Sequence, residues 1–460
     1  EDIGIRAGAP VTYKGAVLEY EPYSVWTEAG GELITKENAL IIAQYAMEAK
    51  ELGVDILVAP EYSIQSMDMQ VLNSTLLFSL MQYVPDPVLN FIPCNDPTDP
   101  LNVEAVRTLS CAALENEMYI VADLAEVSPC SPTSRNPFNN ALDISEECPP
   151  SGQFYYNTQV VFDRDGVLIA RYRKKNLFLE WQFTPGTDPN EMAIFTTDFG
   201  VTFTLQVCFD IAYFNPGVSN IVNYGIKDVI MSTAWVDMLP YHTAPAVQNA
   251  WSRGNGVNLL VSGYHYPERA KLGSGIYRGA SDLANVYIFD PESGSRLLVS
   301  DVSTVATVDV HLTPGDTTEI LNAEACHQDG LCCKLNYQPT GILNYSLVAY
   351  SGPVIKGWGE YSIYAQVCSI LWCAGDDINT CGHIDLGLPD SDSFSMFSLS
   401  GNFAQGVYVY STVFQRNLTL IDNNLYNISQ QNTETIISTN GSLPDLLTAG
   451  FYARWYERDP

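Results

Sequence analysis

Eleven cysteines, an odd number, constrain this chain before any other feature does. Ten stand in local company: Cys94 with Cys111, Cys130 with Cys148, and Cys326, Cys332, Cys333, Cys368, Cys373 and Cys381 in one C-terminal group. Even, local groups suit disulfides made in an oxidising compartment. Locality pairs 94 with 111 and 130 with 148, and leaves the pairing of the other six open. Structural zinc would want C-x2-C pairs with histidine partners, and the five histidines are scattered, so no metal site and no cofactor are expected. Cys208 stands far from every group. A leftover cysteine is either a free reactive thiol or an intermolecular bridge, and its apolar flanks argue against an exposed bridge.

Charge narrows the partners. The chain carries 22 Lys+Arg against 53 Asp+Glu, a net of −31 spread in near proportion along its length. Such a field repels phosphate and excludes nucleic acid and anionic membranes as partners. Its plain reading is solubility; its sharper one is exclusion of an anionic ligand or attraction of a cationic one. A hydrophobic share of 46% excludes wholesale disorder. No apolar run reaches the roughly 18 residues of a membrane span. Five N-x-Ser/Thr sequons (Asn73, Asn344, Asn417, Asn427, Asn440) point to a secreted, extracellular glycoprotein. The opening at Glu1 reads as a processed terminus, and the other terminus lacks a hydrophobic anchor tail.

Along the chain, apolar positions 39, 42, 43, 46 and 47 predict a helix over 36–52, with Thr35 as N-cap and Gly53 as stop. Val54–Ala59 reads as a short strand buried on both faces. A hairpin is expected at Gln159–Phe162 and Val167–Tyr172, and strands at Val201–Val207, Val229–Thr233 and Asn258–Ser262, with a helix over 246–253. Strands alternating with helices indicate an α/β sandwich. Beyond Pro314-Gly315 the texture changes to short alternating strands such as Tyr361–Val367 and Gly406–Thr412. We expect an α/β domain over 1–312 and a smaller, disulfide-rich all-β domain over 313–460.

Three polar residues occur just where buried strands end: Glu61, Lys174 and Cys208. Ligand sites in α/β sheets cluster at such ends. A carboxylate in a dry pocket can take a thiol proton, an ammonium can face a developing oxyanion, and the backbone N–H of Phe209 follows the thiol. Together they can perform acyl transfer from an amide. From residue types alone, Glu61 could equally be a rim charge, and Lys174, among Arg171, Arg173 and Lys175, a solvated basic face.

Ala-Pro-Glu61-Tyr, Arg-Tyr-Arg-Lys174-Lys-Asn-Leu-Phe and Val-Cys208-Phe-Asp-Ile resemble the three catalytic motifs of the carbon–nitrogen hydrolase (nitrilase) superfamily. Supporting stretches, among them Phe91-Ile-Pro-Cys94-Asn, Gly273-Ser-Gly-Ile-Tyr277, Gly330-Leu-Cys332-Cys333 and Tyr456-Glu-Arg-Asp459, resemble its vanin and biotinidase branch over nearly the whole chain. The resemblance implies a nitrilase-like αββα sandwich followed by a β-rich domain. It implies Glu61 as general base, Lys174 as oxyanion-stabilising cation and Cys208 as nucleophile. It aligns Glu180 with a pocket glutamate that positions the lysine, Trp235 with a position near the substrate and His265 with a motif histidine. Their plain readings are a surface carboxylate, a core tryptophan and a structural histidine. Asp210 is expected to hold the nucleophile's turn, and His242 to be structural. One departure stands out: the segment between Val310 and Cys326 is much shorter than the branch's linker.

Two functions of different class follow. One is a secreted amidohydrolase acting on a small-molecule amide through a thioester, on pantetheine first and a biotinyl amide second. The other is an acidic binding or storage glycoprotein that reuses the fold without turnover. The sequence carries no reading of oligomeric state.

Overall fold

The computed structural model describes residues 12–25, 31–67, 78–95, 104–130, 148–186, 193–279, 284–303, 320–327, 331–340, 345–356, 361–374, 381–382 and 393–459. Twelve strands form the first part: β1 (Thr12–Glu19), β2 (Ile56–Val58), β3 (Tyr119–Pro129), β4 (Gln153–Phe162), β5 (Leu168–Arg173), β6 (Ile194–Thr196), β7 (Thr202–Val207), β8 (Asp228–Ser232), β9 (Asn258–Ser262), β10 (Ser274–Arg278), β11 (Val286–Ile288) and β12 (Arg296–Ser303). They make two six-stranded sheets, ordered β12-β1-β2-β3-β4-β5 and β11-β10-β9-β8-β7-β6. The middle of each is parallel, β1-β2-β3 in one and β7-β8-β9 in the other, with antiparallel strands outside.

The sheets pack face to face. Val17, Ile56, Val58 and Val121 of one share an apolar core with Leu205, Val207, Ile230 and Leu260 of the other. Polar cross-links also join them: Ser232 Oγ donates to the Ala59 carbonyl at 2.7 Å, and Tyr13 Oη to Asp228 Oδ1 at 2.9 Å. Helices α1 (Gly31–Glu51) and α2 (Glu104–Asn116) cover the outer face of the first sheet; α3 (Ser219–Tyr224) and α4 (Ala244–Asn255) flank the second. This is the α/β sandwich expected from the alternating pattern, with the αββα layering that the resemblance implied.

Details differ from the sequence pattern. Helix α1 begins at Gly31, so Thr35 lies inside it rather than capping it. Its buried stripe is Ala39, Ile42, Ala46 and Ala49, the i, i+3, i+7, i+10 row, while Met47 is exposed. Its C-terminus closes through Gly53, in the left-handed region at φ 71°, with the N–H of Gly53 donating to Lys50 O and that of Val54 to Ala49 O. The helix expected over 246–253 runs from Ala244 to Asn255.

The remaining strands are antiparallel throughout and form two further sheets. One runs in the order 321–326, 332–340, 393–402, 434–439, 426–431, the other 345–356, 361–372, 446–454, 408–415. Leu335, Phe397, Leu399 and Ile437 face Ile370, Val413, Ala449 and Phe451 across their core. Strand 408–415 lies directly on α4, so closely that a Cβ at Gly254 would stand 2.6 Å from the Tyr410 ring. Disulfides join Cys94–Cys111, Cys130–Cys148, Cys326–Cys332, Cys333–Cys368 and Cys373–Cys381, and Cys208 is a free, buried thiol. The domain boundary expected at 312/313 lies outside the described residues.

Candidate active site

Strands β2, β5, β7 and β8 all deliver their C-terminal ends to one rim. β2 runs into Pro60-Glu61, β5 into Lys174, β7 into Cys208, and β8 into Thr233-Ala234-Trp235. There they line a cavity of about 290 Å3, closed by Tyr62, Met67, Phe178, Leu179 and Met238. The seam between the sheets fixes the rim, because the Ser232 hydroxyl that holds Ala59 also accepts from Gln159 Nε2 at 2.8 Å.

Lys174 is almost wholly buried between two carboxylates. Its Nζ donates to Glu61 Oε1 at 2.7 Å and to Glu180 Oε2 at 2.6 Å. Asn157 Nδ2 bridges the same pair, at 2.9 Å to Glu61 and 2.7 Å to Glu180. The backbone N–H of Ala234 donates to Glu61 Oε2, and that of Phe178 to Glu180 Oε2, each at 2.8 Å. Burial pushes the Glu61 carboxyl up, but the Lys174 ammonium and these donors outweigh it and hold Glu61 below its ordinary value. Glu180 goes the other way: burial first, then the charge of Glu61, lifts it well above the carboxylate range. Burial pulls the Lys174 ammonium down, and Glu61 more than restores it.

Cys208 sits at a backbone reversal. Its φ of 46° is left-handed, a conformation that costs a side chain-bearing residue about 1–3 kcal/mol and persists where surrounding structure enforces it. The enforcement comes from Asp210, whose Oδ2 accepts from Val207 N and Tyr172 Oη, each at 2.9 Å, and whose Oδ1 accepts from Asn176 N and Nδ2 at 3.0 and 2.7 Å. Tyr62 and Leu179, beside Glu61 and Glu180, are left-handed too. Burial, then the Glu61 charge, pushes the Cys208 thiol up to about 12, against the pull of Lys174. A sulfur held there rests as a thiol, so any attack by it would need a neighbouring base to take its proton.

The structure brings Glu61, Lys174, Cys208, Glu180, Phe209 and Trp235 to this one cavity. Trp235 is nine-tenths buried or more and donates Nε1–H to the His242 carbonyl at 2.8 Å, so it is core on one side and wall on the other. His265 does not line the cavity: its Nδ1 lies 3.2 Å from Glu19 Oε1, because the Tyr20–Tyr264 bridge and the His265 N–H bond to Tyr20 O set it beside the end of β1. His242 is buried against Tyr452.

Three residues of the site escape a reading of the sequence. Asn157 opens the polar run Asn157-Thr158-Gln159 inside the buried strand β4, and that run is the signal that could have found it. Asp123 accepts from Tyr62 N at 2.7 Å, and burial with the Glu61 charge lifts its carboxyl well above the usual range. Lys271 reaches the cavity from a loop, and no local pattern marks it. Of the sequons, Asn417, Asn427 and Asn440 are exposed, and Asn73 and Asn344 lie outside the described residues.

A carbon–nitrogen hydrolase family model matches residues 32–243, and a vanin C-terminal domain model matches residues 300–459. The chain is 32% identical to a pantetheinase of Homo sapiens, covering 99% of this chain and 91% of that protein. It is 31% identical to the human protein named pantetheine hydrolase VNN2, with the same coverage of both chains. A biotinidase of Takifugu rubripes is 29% identical over 92% of this chain and 89% of its own.

Proposed function

The chain belongs to the carbon–nitrogen hydrolase family, with a vanin C-terminal domain, and on that footing we propose that it cleaves pantetheine to pantothenate and cysteamine outside the cell. It is an amide hydrolase by family. The observation that carries the catalytic reading is the Lys174–Glu61 hydrogen bond of 2.7 Å inside the cavity that holds the free thiol.

Cys208 Sγ attacks the amide carbonyl carbon while Glu61 takes the thiol proton. Lys174 and the Phe209 N–H face the oxyanion of the tetrahedral intermediate. The C–N bond then breaks, Glu61 gives its proton to the leaving amine, and a thioester remains on Cys208. Water, relieved of a proton by Glu61, attacks that thioester and releases the acid and the thiol. Glu180 and Asn157 position Lys174 and Glu61 rather than touching substrate. The apolar lining of Phe178, Leu179, Trp235 and Met238 suits the unbranched stretch of a linear amide.

An extracellular setting is supported by the five disulfides, by the exposed Asn417, Asn427 and Asn440 sequons, and by the absence, among the described residues, of a helix long and apolar enough to cross a membrane. The test is a panel of amides, pantetheine and biotinyl amides among them, with the released acid identified by mass spectrometry. Cysteamine release at an unchanged rate by a Cys208→Ala variant would sink the catalytic reading.

A further inference from the structure

Lys271 lines the same cavity as Glu61, Lys174 and Cys208, and the chemistry above makes no use of it. Only 6% exposed, it closes a tight turn: the Tyr266 N–H donates to Lys271 O at 2.7 Å, and the Lys271 N–H returns to Tyr266 O at 3.1 Å. Its Nζ donates to the Ala234 carbonyl at 2.9 Å. The N–H of that same Ala234 holds Glu61, so ammonium and base flank a single residue. Among the described residues this carbonyl is the one hydrogen-bond acceptor of the Lys271 ammonium, which has three protons to donate. Lys174, by contrast, is occupied by two carboxylates. Asp237, the acid beside Lys271, accepts from the Ala244 N–H at 2.7 Å.

The side chains that line the cavity do not share the molecule's acidic balance. Among the described residues its lining holds three bases, Lys174, Arg269 and Lys271, against two acids, Glu61 and Glu180, in a protein of net charge −31. Arg269 belongs to the same turn, exposed at the cavity mouth with its guanidinium 5.0 Å from the Tyr266 ring. Surface charges farther than a Debye length of about 8–10 Å are screened, so a ligand inside the cavity responds to Lys271 and the buried acids beside it rather than to the distant surface acids. A buried ammonium with donors to spare is costly until an anion meets it.

We propose that Lys271 is a specificity residue for a carboxylate: the cavity prefers amides that carry a carboxylate close to the scissile bond, paired with the Lys271 ammonium. Burial, helped by the Lys174 charge, outweighs Cys208, Glu61 and Asp237 and holds the Lys271 ammonium below its ordinary value; an anion bound beside it would oppose that shift. The proposal deepens the amide-hydrolase reading of this site and rests on it for turnover. It reverses the expectation that the strong acidity of the chain excludes anionic ligands. Pantetheine itself has no carboxylate and becomes the weaker member of the substrate class.

The first test is independent of turnover. Iodoacetate and iodoacetamide both alkylate Cys208, the sulfur displacing iodide and the thiol proton passing to Glu61 or water; the reagents differ in charge. The ratio of the two rates is expected to exceed that of free cysteine, to fall by about tenfold in Lys271→Met, the worth of one charged hydrogen bond, and to survive in Lys271→Arg. A wild-type ratio no higher than that of free cysteine, which needs no variant, overturns the proposal; so does equal slowing of both reagents in Lys271→Met. The second test compares two amides identical but for a carboxylate or a carboxamide next to the scissile bond. Lys271→Met should lower kcat/KM for the carboxylate member about tenfold more than for the carboxamide member, and an equal loss for both overturns the proposal. Absence of turnover with both, beside a retained alkylation ratio, would count against the hydrolase reading and leave the anion site standing.

Discussion

Arg173 and Lys174 are neighbours in sequence, point to opposite sides of the strand end and meet opposite fates. Arg173 donates to Glu126 through Nε at 3.0 Å and NH2 at 2.6 Å, with its guanidinium carbon 4.0 Å from the Tyr156 ring. Glu126 also accepts from Thr158 and lies 3.7 Å from Arg171. That bay holds two cations for one acid. The Lys174 bay holds two acids for one cation, and it opens onto a cavity. Both are buried ion clusters, and burial alone does not tell structure from chemistry. The sign of the excess does. A surplus of guanidinium, which does not titrate, has no proton to trade; a surplus of carboxylate pushes one acid up beside an ionised partner and leaves a proton that can move.

The comparison can be broken at four places. The largest effect is expected from Cys208→Ala, which removes only the reacting atom: amide turnover should fall by about 10^3-fold or more, with the unfolding midpoint nearly unchanged. Glu61→Gln keeps the shape of the Lys174 bay but removes its base. Turnover should fall by roughly 10^2–10^4-fold, and the acid side of the rate profile, where protonation of Glu61 extinguishes the wild type, should flatten. Arg173→Met does the converse. It leaves Glu126 buried with a distant partner and should cost about 3–5 kcal/mol in urea unfolding, while turnover per folded molecule changes little.

The smallest effect is a pH dependence. Burial pushes the Glu126 carboxyl up, but Arg173 and Arg171 outweigh it and hold it below the usual value. A folded value below the unfolded one contributes stability that is present above the unfolded carboxylate range and lost as pH falls through the folded value. Glu126→Gln should therefore show a shallower loss of stability on acidification than wild type, read from unfolding midpoints across acidic pH. An identical slope would show that the pair adds nothing pH-dependent.

Much of this was legible in the sequence because the residues proposed to react sit at strand ends, where an apolar run stops at one polar residue. Glu61 after Ile56–Val58 and Cys208 after Thr202–Val207 announce themselves that way. The fold was legible for the same reason, since parallel strands buried on both faces cannot occur outside a covered sheet. What the pattern does not encode is what reaches the rim from elsewhere. Asn157 lies mid-strand, where the polar run 157–159 is its only trace, and Lys271 depends on how one loop folds over Ala234. His265 shows the reverse failure: a motif preserves a residue's neighbours in sequence without saying which wall its ring faces. Helix α1 starts before its first polar cap because packing against the sheet extends it past the point where local propensity would stop.

One contact joins two distant parts of the chain. The guanidinium of Arg454, on strand 446–454, donates Nε–H to the Ala212 carbonyl at 2.8 Å, and Ala212 ends the turn that begins at Cys208. The two residues are 242 positions apart. The turn that carries the buried thiol thus rests on two supports, Asp210 from within and Arg454 from the far end of the chain, and a chain cut short of that strand would keep only the first.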